Sequence, residues 1–483
     1  MWFLDSILFN LAGGLVSLAI LSVVHRLWFS PLSKLPGPAI CALTRLPLMH
    51  HEFRGGRTRF IHALHISYGP VVRVAPDEVS FASADAVKEI YSSGGGGYDK
   101  SSFYSLFQQF GTPNMFSTLG RGEHSERKRK FAERYSKSHV MSTDAAAVIQ
   151  DHVNDFSAKL EEHIGRSVDI YDWLHCFSLD SVAGHLFHPR DLHSLTDETD
   201  HKIMVELTYS STLKSFYAQH YFPIMSRIWS TLMGKSFRRT DGLAAPYCLS
   251  VVREASVSSH TVLSKLRSST PPDADLMSIA SECMDHFAAA IDTTGDALCC
   301  LMHHLSLPTP ASRAVQARLR AELAAHTGAA PDTLPYLDAV VREGLRVFAP
   351  IPMSLPRVVP AGGRVVAGAW LPAGTVVSCQ PHTLHRFDEG VFPDPEVFRA
   401  ERWLEEEGRA EREQLFFAFG AGGRGCIGKH LALLEMKMLL AEVYSRFITK
   451  VAPDMTASMD QDDQIIASRP RDQKCLVVFE RVK

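Results

Sequence analysis

The chain opens on its longest apolar run. From Ser6 to Val24, 19 residues pass without a formal charge, and as a helix they would span roughly 28 Å, the thickness of a bilayer's hydrocarbon core. Asp5 precedes the run and His25, Arg26 and Lys34 follow it. The positive-inside bias therefore predicts a single-pass anchor with the rest of the chain in the cytosol. A cleaved signal peptide fits less well, because a basic leading region and a small-residue cleavage site are missing. K-L-P-G-P at 34–38 cannot continue a helix and predicts a stiff hinge. Residues 68–81 alternate apolar and polar positions between prolines and predict a β-hairpin. Residues 92–97, S-S-G-G-G-G, predict a flexible loop, and 101–122 an irregular, aromatic-rich segment. From about 139 to 330 the period is helical. It is clearest over 276–301, where Leu276, Ile279, Cys283, Phe287, Ala290, Thr294, Leu298 and Leu301 recur at steps of three and four. A further helix is predicted over 335–347, short strands across 364–379, and a strand-like tail over 471–482. There is no internal repeat, and no linker divides the chain after residue 40. The expected class is mostly α with a minor β part, organised as an anchor (1–29), a hinge (30–40) and one body (41–483).

Composition narrows this little. At 46% apolar and 21% charged residues, the 483-residue chain is ordinary globular protein. A net charge of −3 carries no basic footprint, so no nucleic-acid partner is expected. The nine cysteines form no C-x-x-C pair and there is no N-x-S/T sequon. Both absences favour a reducing, cytosolic setting. The H-x-x-H pairs His62/His65 and His382/His385 lack the Glu of a zinc-protease motif and read as packing or surface histidines.

The densest chemistry lies at 416–437, F-F-A-F-G-A-G-G-R-G-C-I-G-K-H-L-A-L-L-E-M-K. Four glycines within 420–425 precede Cys426, and a periodic helix follows it. A thiolate that ligates a metal needs such a setting: glycines let backbone N–H groups approach the sulfur, and the helix beginning beyond it offers its positive end. The same glycines satisfy G-x-G-x-x-G. A dinucleotide site would require further parallel strands, and fewer than 60 residues remain to supply them. A Gly-rich turn beside a structural cysteine is the blander alternative.

The motif F-x-x-G-x-R-x-C-x-G, met here by Phe419, Gly422, Arg424, Cys426 and Gly428, resembles the signature of the cytochrome P450 family, of the microsomal and fungal type. The resemblance extends over residues 34–483. It implies the cytochrome P450 fold with an N-terminal transmembrane helix, and haem b (iron protoporphyrin IX) with Cys426 as axial ligand to the iron. Strong electron donation from the thiolate then favours O–O cleavage. Glu343-Gly-Leu-Arg346 is similar to the family's E-x-x-R, with Arg402 as the expected third partner; Ala400 stands where the family usually has proline. A-A-I-D-T-T (289–294) resembles the oxygen-binding stretch. The likeness makes Asp292 and Thr293 the proton-relaying catalytic pair, although Ala290 replaces the usual glycine and could narrow the groove. His124 and Lys128 stand at the tryptophan and arginine of W-x-x-x-R and, with Arg357, are the expected partners of the haem propionates. Arg424 and Phe419 complete the cofactor-binding set. Arg127, Arg129 and Lys130 are expected on a surface that docks an acidic reductase.

The implied activity is a monooxygenase that inserts one atom of O2 into a small lipophilic substrate of secondary metabolism, by hydroxylation or epoxidation. Electrons would come from NADPH through a separate NADPH-cytochrome P450 reductase. The expected location is the endoplasmic reticulum membrane, with the catalytic body in the cytosol. The substrate pocket is expected from 98–118, 205–235, 287–294 and 350–355, with Ile351, Met353 and Leu355 near the substrate. A reductase-independent isomerase or peroxide-rearranging enzyme of the same fold is the alternative, and Asp292 and Thr293 speak against it because such chemistry needs no proton relay.

Overall fold

The computed structural model describes residues 2–92, 97–210, 212–232, 242–254, 256–270 and 275–482, with backbone alone at 2–8, 11, 12, 229, 230, 232 and 254. The loop expected at 92–97 therefore lies, for residues 93–96, outside the described residues, as do 211 and 233–235 of the expected pocket wall.

The periodic stretch at 276–301 is a helix, Leu276–Ser306, five residues longer than the pattern indicated because Ala297–Met302 are apolar or small all round. Asp275 caps its start by accepting the Met277 N–H. The helix Ile170–Phe187 packs along it and is buried at 17 positions, so its sequence shows almost no polar face. Small residues let the two close up: a Cβ on Gly295 would stand 2.9 Å from the His175 ring. The helices Thr143–Glu161, Pro310–Ala325, Pro335–Val347 and Lys429–Arg446 complete one large core around this pair.

The β part is minor, as expected. Val71–Ala75 and Glu78–Phe81 form the predicted hairpin, with Val71 opposite Phe81. They belong to a five-stranded sheet that also takes Val376–Cys379, Arg357–Val358 and Asp99–Lys100. Strand pairing at Asp99–Lys100 is invisible in the local pattern, since two residues carry no period. The tail strand is shorter than the alternation suggested: only Leu476–Arg481 pairs, between Ser167–Asp169 and Phe447–Val451.

At the amino terminus a helix runs over Trp2–Val24 and continues as a wider turn over His25–Phe29. Among the described residues, no helix is long and apolar enough to cross a membrane. The hinge is docked on the hairpin: the Arg73 N–H donates to Pro36 O, and a Cβ on Gly37 (φ +148) would stand 2.6 Å from Arg73 O, so only glycine fits there.

Candidate active site

The cysteine loop is shaped by backbone that side chains would forbid. Gly420 and Gly422 both have φ +65, and a Cβ on Gly422 would run into the Tyr91 carbonyl. Gly422–Arg424 make a single 3-10 turn, and residues 416–421 are no strand, so the dinucleotide alternative has no β-α unit to stand on. The Cys426 N–H donates to Phe419 O at 2.8 Å, which places Phe419 as the clamp of the loop. The helix Lys429–Arg446 begins just beyond the loop, and the N–H groups of Gly428 and Lys429 reach the sulfur.

Cys426 is the one exposed cysteine of nine. Yet burial raises its thiol pKa, opposed by those N–H groups and by Lys128 and Lys429. The two observations agree if the sulfur faces a chamber walled by protein. A thiol there stays protonated until a cation shares the space, which suits a metal ligand rather than a free nucleophile.

Around the chamber's rim the chain gathers positive charge. The Lys128 ammonium donates to Gly423 O at 3.0 Å, so this lysine turns inward onto the cysteine loop as expected. His124 is buried, and so is Arg357, whose guanidinium donates to the Tyr104 hydroxyl at 3.2 Å and to Pro356 O at 3.0 Å. Arg424 pairs with Asp99 at 3.3 Å through Nη2, while its buried Nη1 has no partner. Sequence reasoning missed a fifth cation, Lys100, because a lone lysine after Asp99 gives no local signal. Its ammonium is buried, donates to Phe116 O at 2.5 Å and lies over the Tyr104 and Phe116 rings.

Burial, then the positive charge of neighbours, pulls three of these groups down. Lys100 falls well below the usual lysine range, His124 to about 3 and Arg424 to about 10. Such a set is unfavourable alone and becomes favourable beside an anion. A flat cofactor with two carboxylates on one edge and a metal at its centre meets both demands, the orphaned Arg424 donor and the screened thiol. Haem fits these residues.

Not all of the basic run joins in. Arg127, expected on the docking surface, is half-buried and pairs with Glu282 at 3.7 Å, while Arg129 and Lys130 are exposed.

On the long helix, the Thr293 hydroxyl donates to Ala289 O at 2.9 Å, with Ala290 O at 3.5 Å. Asp292, one residue earlier, has its side chain only a third exposed, and burial raises its carboxyl. The helix stays regular through Ala290, so the extra methyl does not break it. Thr294 approaches Glu435 on the helix after Cys426. That buried carboxyl, raised by burial to about 8, was also missed, since its position in 429–446 reads as an ordinary polar face.

Behind the loop sits the expected ion-pair knot. Glu343 accepts from Arg346 Nε and Nη2 at 2.9 Å each, from Arg402 Nε at 3.0 Å, from the Arg399 N–H at 2.9 Å and from Trp403 Nε1 at 2.9 Å. Ala400 opens a 3-10 turn, Ala400–Trp403, that still delivers Arg402. The knot is tied to the cysteine loop through His385, whose Nδ1 meets Arg346 O at 3.1 Å and whose Nε2 accepts the Phe417 N–H at 2.9 Å. The four H-x-x-H histidines are thus packing residues: His62 and His382 meet edge to face, and His65 bonds Ser80 and Gly69.

Two of the four expected pocket segments, 98–118 and 205–235, meet in one aromatic cluster. Phe103, Tyr104, Phe107 and Phe116 pack on Phe216, Tyr217 and Tyr221 of the helix Leu213–Tyr221. Ile465 and Ile466, from the turn after the strand Gln461–Asp463, join the same cluster and were not foreseen. Met353 is buried, with Ile351 and Leu355 half-buried.

Comparison with known proteins agrees with this geometry. The sequence profile described as Cytochrome P450 matches residues 35–477. Cytochrome P450 monooxygenase orf2 of Aspergillus niger is 28% identical over 494 residues, covering 98% of this chain and 98% of that protein. Cytochrome P450 monooxygenase hkm5 of Aspergillus hancockii is 27% identical over 92% of this chain and 90% of its own. Cytochrome P450 monooxygenase BipB of Cochliobolus sativus is 28% identical over 88% and 87%.

Proposed function

Because the chain belongs to the cytochrome P450 family and is a haem-thiolate monooxygenase, we propose that it oxidises a small lipophilic molecule of secondary metabolism, held under the aromatic cluster of Phe103, Phe107, Phe116 and Phe216. The cofactor we assign is haem b, with Cys426 on the iron and Lys100, His124, Lys128, Arg357 and Arg424 around its two propionates. The observation that carries the reading is the pairing of a screened thiol with a buried cluster of basic side chains, in which burial and neighbouring positive charge hold Lys100 and His124 down and Arg424 Nη1 has no partner.

When bound, the haem supplies the site at which O2 is reduced and one oxygen atom is passed to the substrate. The chain's part is to set that site. N–H groups of Gly428 and Lys429, with Lys128, stabilise the thiolate against the cost of burial. Asp292 and Thr293 handle protons: the carboxyl takes one from its surroundings and the Thr293 hydroxyl, held on Ala289 O, orients it into the groove. The aromatic wall excludes water and orients an apolar substrate by shape.

Electrons would come from NADPH through a separate flavoprotein reductase, docking on the face of exposed Arg129 and Lys130. Anchoring of residues 1–29 in the endoplasmic reticulum membrane, with the body cytosolic, rests on the uncharged run Ser6–Val24 with Arg26 after it and on exposed Phe9, Leu15, Leu18 and Leu21, not on a helix among the described residues that meets the length and apolarity of a span; release of the full chain from microsomes by alkaline carbonate would refute it.

The decisive test is spectroscopic. The purified protein should bind haem and show the strongly red-shifted Soret band of thiolate ligation in its reduced carbon monoxide complex, and turnover should require NADPH and reductase. A Cys426→Ser variant that kept that band would end the assignment, and turnover without electron donor would favour the isomerase reading.

A further inference from the structure

The long helix carries a second acid one turn beyond Asp292. Asp296 is buried, and both carboxylates turn toward the helix Ile170–Phe187, where His175 meets them. His175 Nε2 lies 3.6 Å from Asp296 Oδ1 and 4.0 Å from Asp292 Oδ1. The ring comes this close because residue 295 is glycine. The other ring nitrogen, Nδ1, donates to Tyr171 O at 2.7 Å, so Nε2 carries the lone pair of a neutral imidazole.

Five buried polar atoms at this spot lack a hydrogen bond of good geometry: His175 Nε2, Asp292 Oδ1, both carboxylate oxygens of Asp296, and Thr208 Oγ1. Each such orphan costs on the order of 1–3 kcal/mol, so a cluster of them needs a reason to persist. The cluster also has an outlet. Thr208 O accepts from Arg469 Nη1 at 2.8 Å and from Gln473 Nε2 at 3.2 Å, and Gln473 Nε2 approaches the Tyr171 hydroxyl at 3.3 Å. Arg469 and Gln473 are half-buried and reach the surface. A polar column therefore runs from the edge of the carboxyl-terminal strands to the residue beside Thr293.

We propose that His175 and Asp296 load protons onto Asp292: a proton enters from solvent at Arg469 and Gln473, crosses the Tyr171–Asp296–His175 cluster, and reaches the Asp292 carboxylate. This rests on the monooxygenase reading, since oxidising a C–H substrate with O2 and two electrons consumes two protons and releases one water. Each transfer leaves the cluster one proton short, solvent restores it, and no group in the column is oxidised or reduced. His175 and Asp296 act through Asp292 and are positioning residues, distinct from the catalytic pair.

The groups facing the cluster fit this use. Burial, with Asp292 beside it, holds the Asp296 carboxyl well above the usual carboxylate range, Arg469 opposing; burial also raises Asp292. Burial lowers His175 to about 4, so at neutral pH it is an acceptor beside a carboxylic acid. Tyr171 from the facing helix and Cys299 and Cys300 from the same helix are pushed up and stay protonated.

The test uses haem-loaded full-length protein. In infrared difference spectra across a pH titration, wild type should keep a carboxylic-acid carbonyl band at neutral pH that Asp296→Asn removes, and His175→Phe should shift that band's midpoint. With reductase and NADPH, both variants should slow NADPH oxidation by about tenfold, a modest fraction of what a full acid–base partner contributes, and enlarge the solvent deuterium isotope effect. The reduced carbon monoxide band should not change. Tyr171→Phe, which deletes one hydroxyl, should shift the same infrared band if either of the others fails to fold. Unaltered infrared bands and isotope effects in correctly ligated variants would overturn the proposal. Absence of the carbon monoxide band in wild type would instead overturn the monooxygenase reading.

Discussion

Replacing Glu343 by glutamine keeps the volume of the side chain and removes its charge. In the native knot, Oε1 takes donors from Arg346 Nη2, Arg402 Nε and the Arg399 N–H, and Oε2 takes Arg346 Nε and Trp403 Nε1. A glutamine can retain at best the three bonds at Oε1. Its NH2 then faces two donors, leaving Arg346 Nε and Trp403 Nε1 unpaired at about 1–3 kcal/mol each. Two buried guanidinium groups also lose their counter-ion, a change worth about 3–5 kcal/mol when a buried pair is broken. These penalties overlap, so a loss of about 5 kcal/mol is expected, a large part of the roughly 5–15 kcal/mol that holds a domain folded. Trp403→Phe deletes one of the five donors and should cost only about 1.5–3 kcal/mol. Urea unfolding followed by circular dichroism and by the Soret band measures both. Glu343→Gln should unfold at far lower urea than Trp403→Phe. If its midpoint matched wild type, the knot would not be a folding determinant and the account of how the cysteine loop is held would fail.

Lys100→Met should weaken haem retention, read as faster transfer of haem to apomyoglobin, while the cofactor-free protein becomes more stable, because a cation held below its normal pKa by burial and by Arg357 and Arg424 has been removed; unchanged retention would count against its placement beside a propionate. Burial, with Arg346 and Arg386 nearby, depresses His385 to about 3, so from its unfolded value near 6.5 down to about 3 only the unfolded chain binds that proton and stability falls as pH falls. His385→Gln should reduce this acid slope by about 1.4 kcal/mol per pH unit in that window, measured by urea titrations at several pH values; an identical slope would show that the histidine charges in the folded state.

What could be read from the sequence followed a simple division. The long helix, the hairpin and the helix at 335–347 announced themselves because their apolar residues recur at the period of the element, even though both hairpin strands are buried on both faces, and Glu343 with Arg346 did so because a three-residue spacing fixes their geometry within one helix. The cysteine loop was legible because its backbone requires glycine. Lys100, Glu435, Asp296 and His175 were not. Each owes its role to neighbours far along the chain, Arg357 for Lys100, Thr294 for Glu435 and His175 with Asp296 for each other, and a single polar residue amid apolar ones looks the same whether it meets solvent or another element. The burial of Arg127 against Glu282 was hidden for the same reason: four consecutive basic residues give no clue which of them faces inward.

The hydrogen-bond chain from Glu343 through Arg346 and His385 to Phe417 separates two design problems that share one protein. The cysteine loop is positioned from behind, by buried charges on the far side of the loop. Wall residues that touch none of the basic groups around that loop, such as Phe103, Phe107 and Phe216, can therefore be exchanged to admit a new molecule while the loop keeps its support. The chemistry is inherited while the choice of what to oxidise stays free to drift.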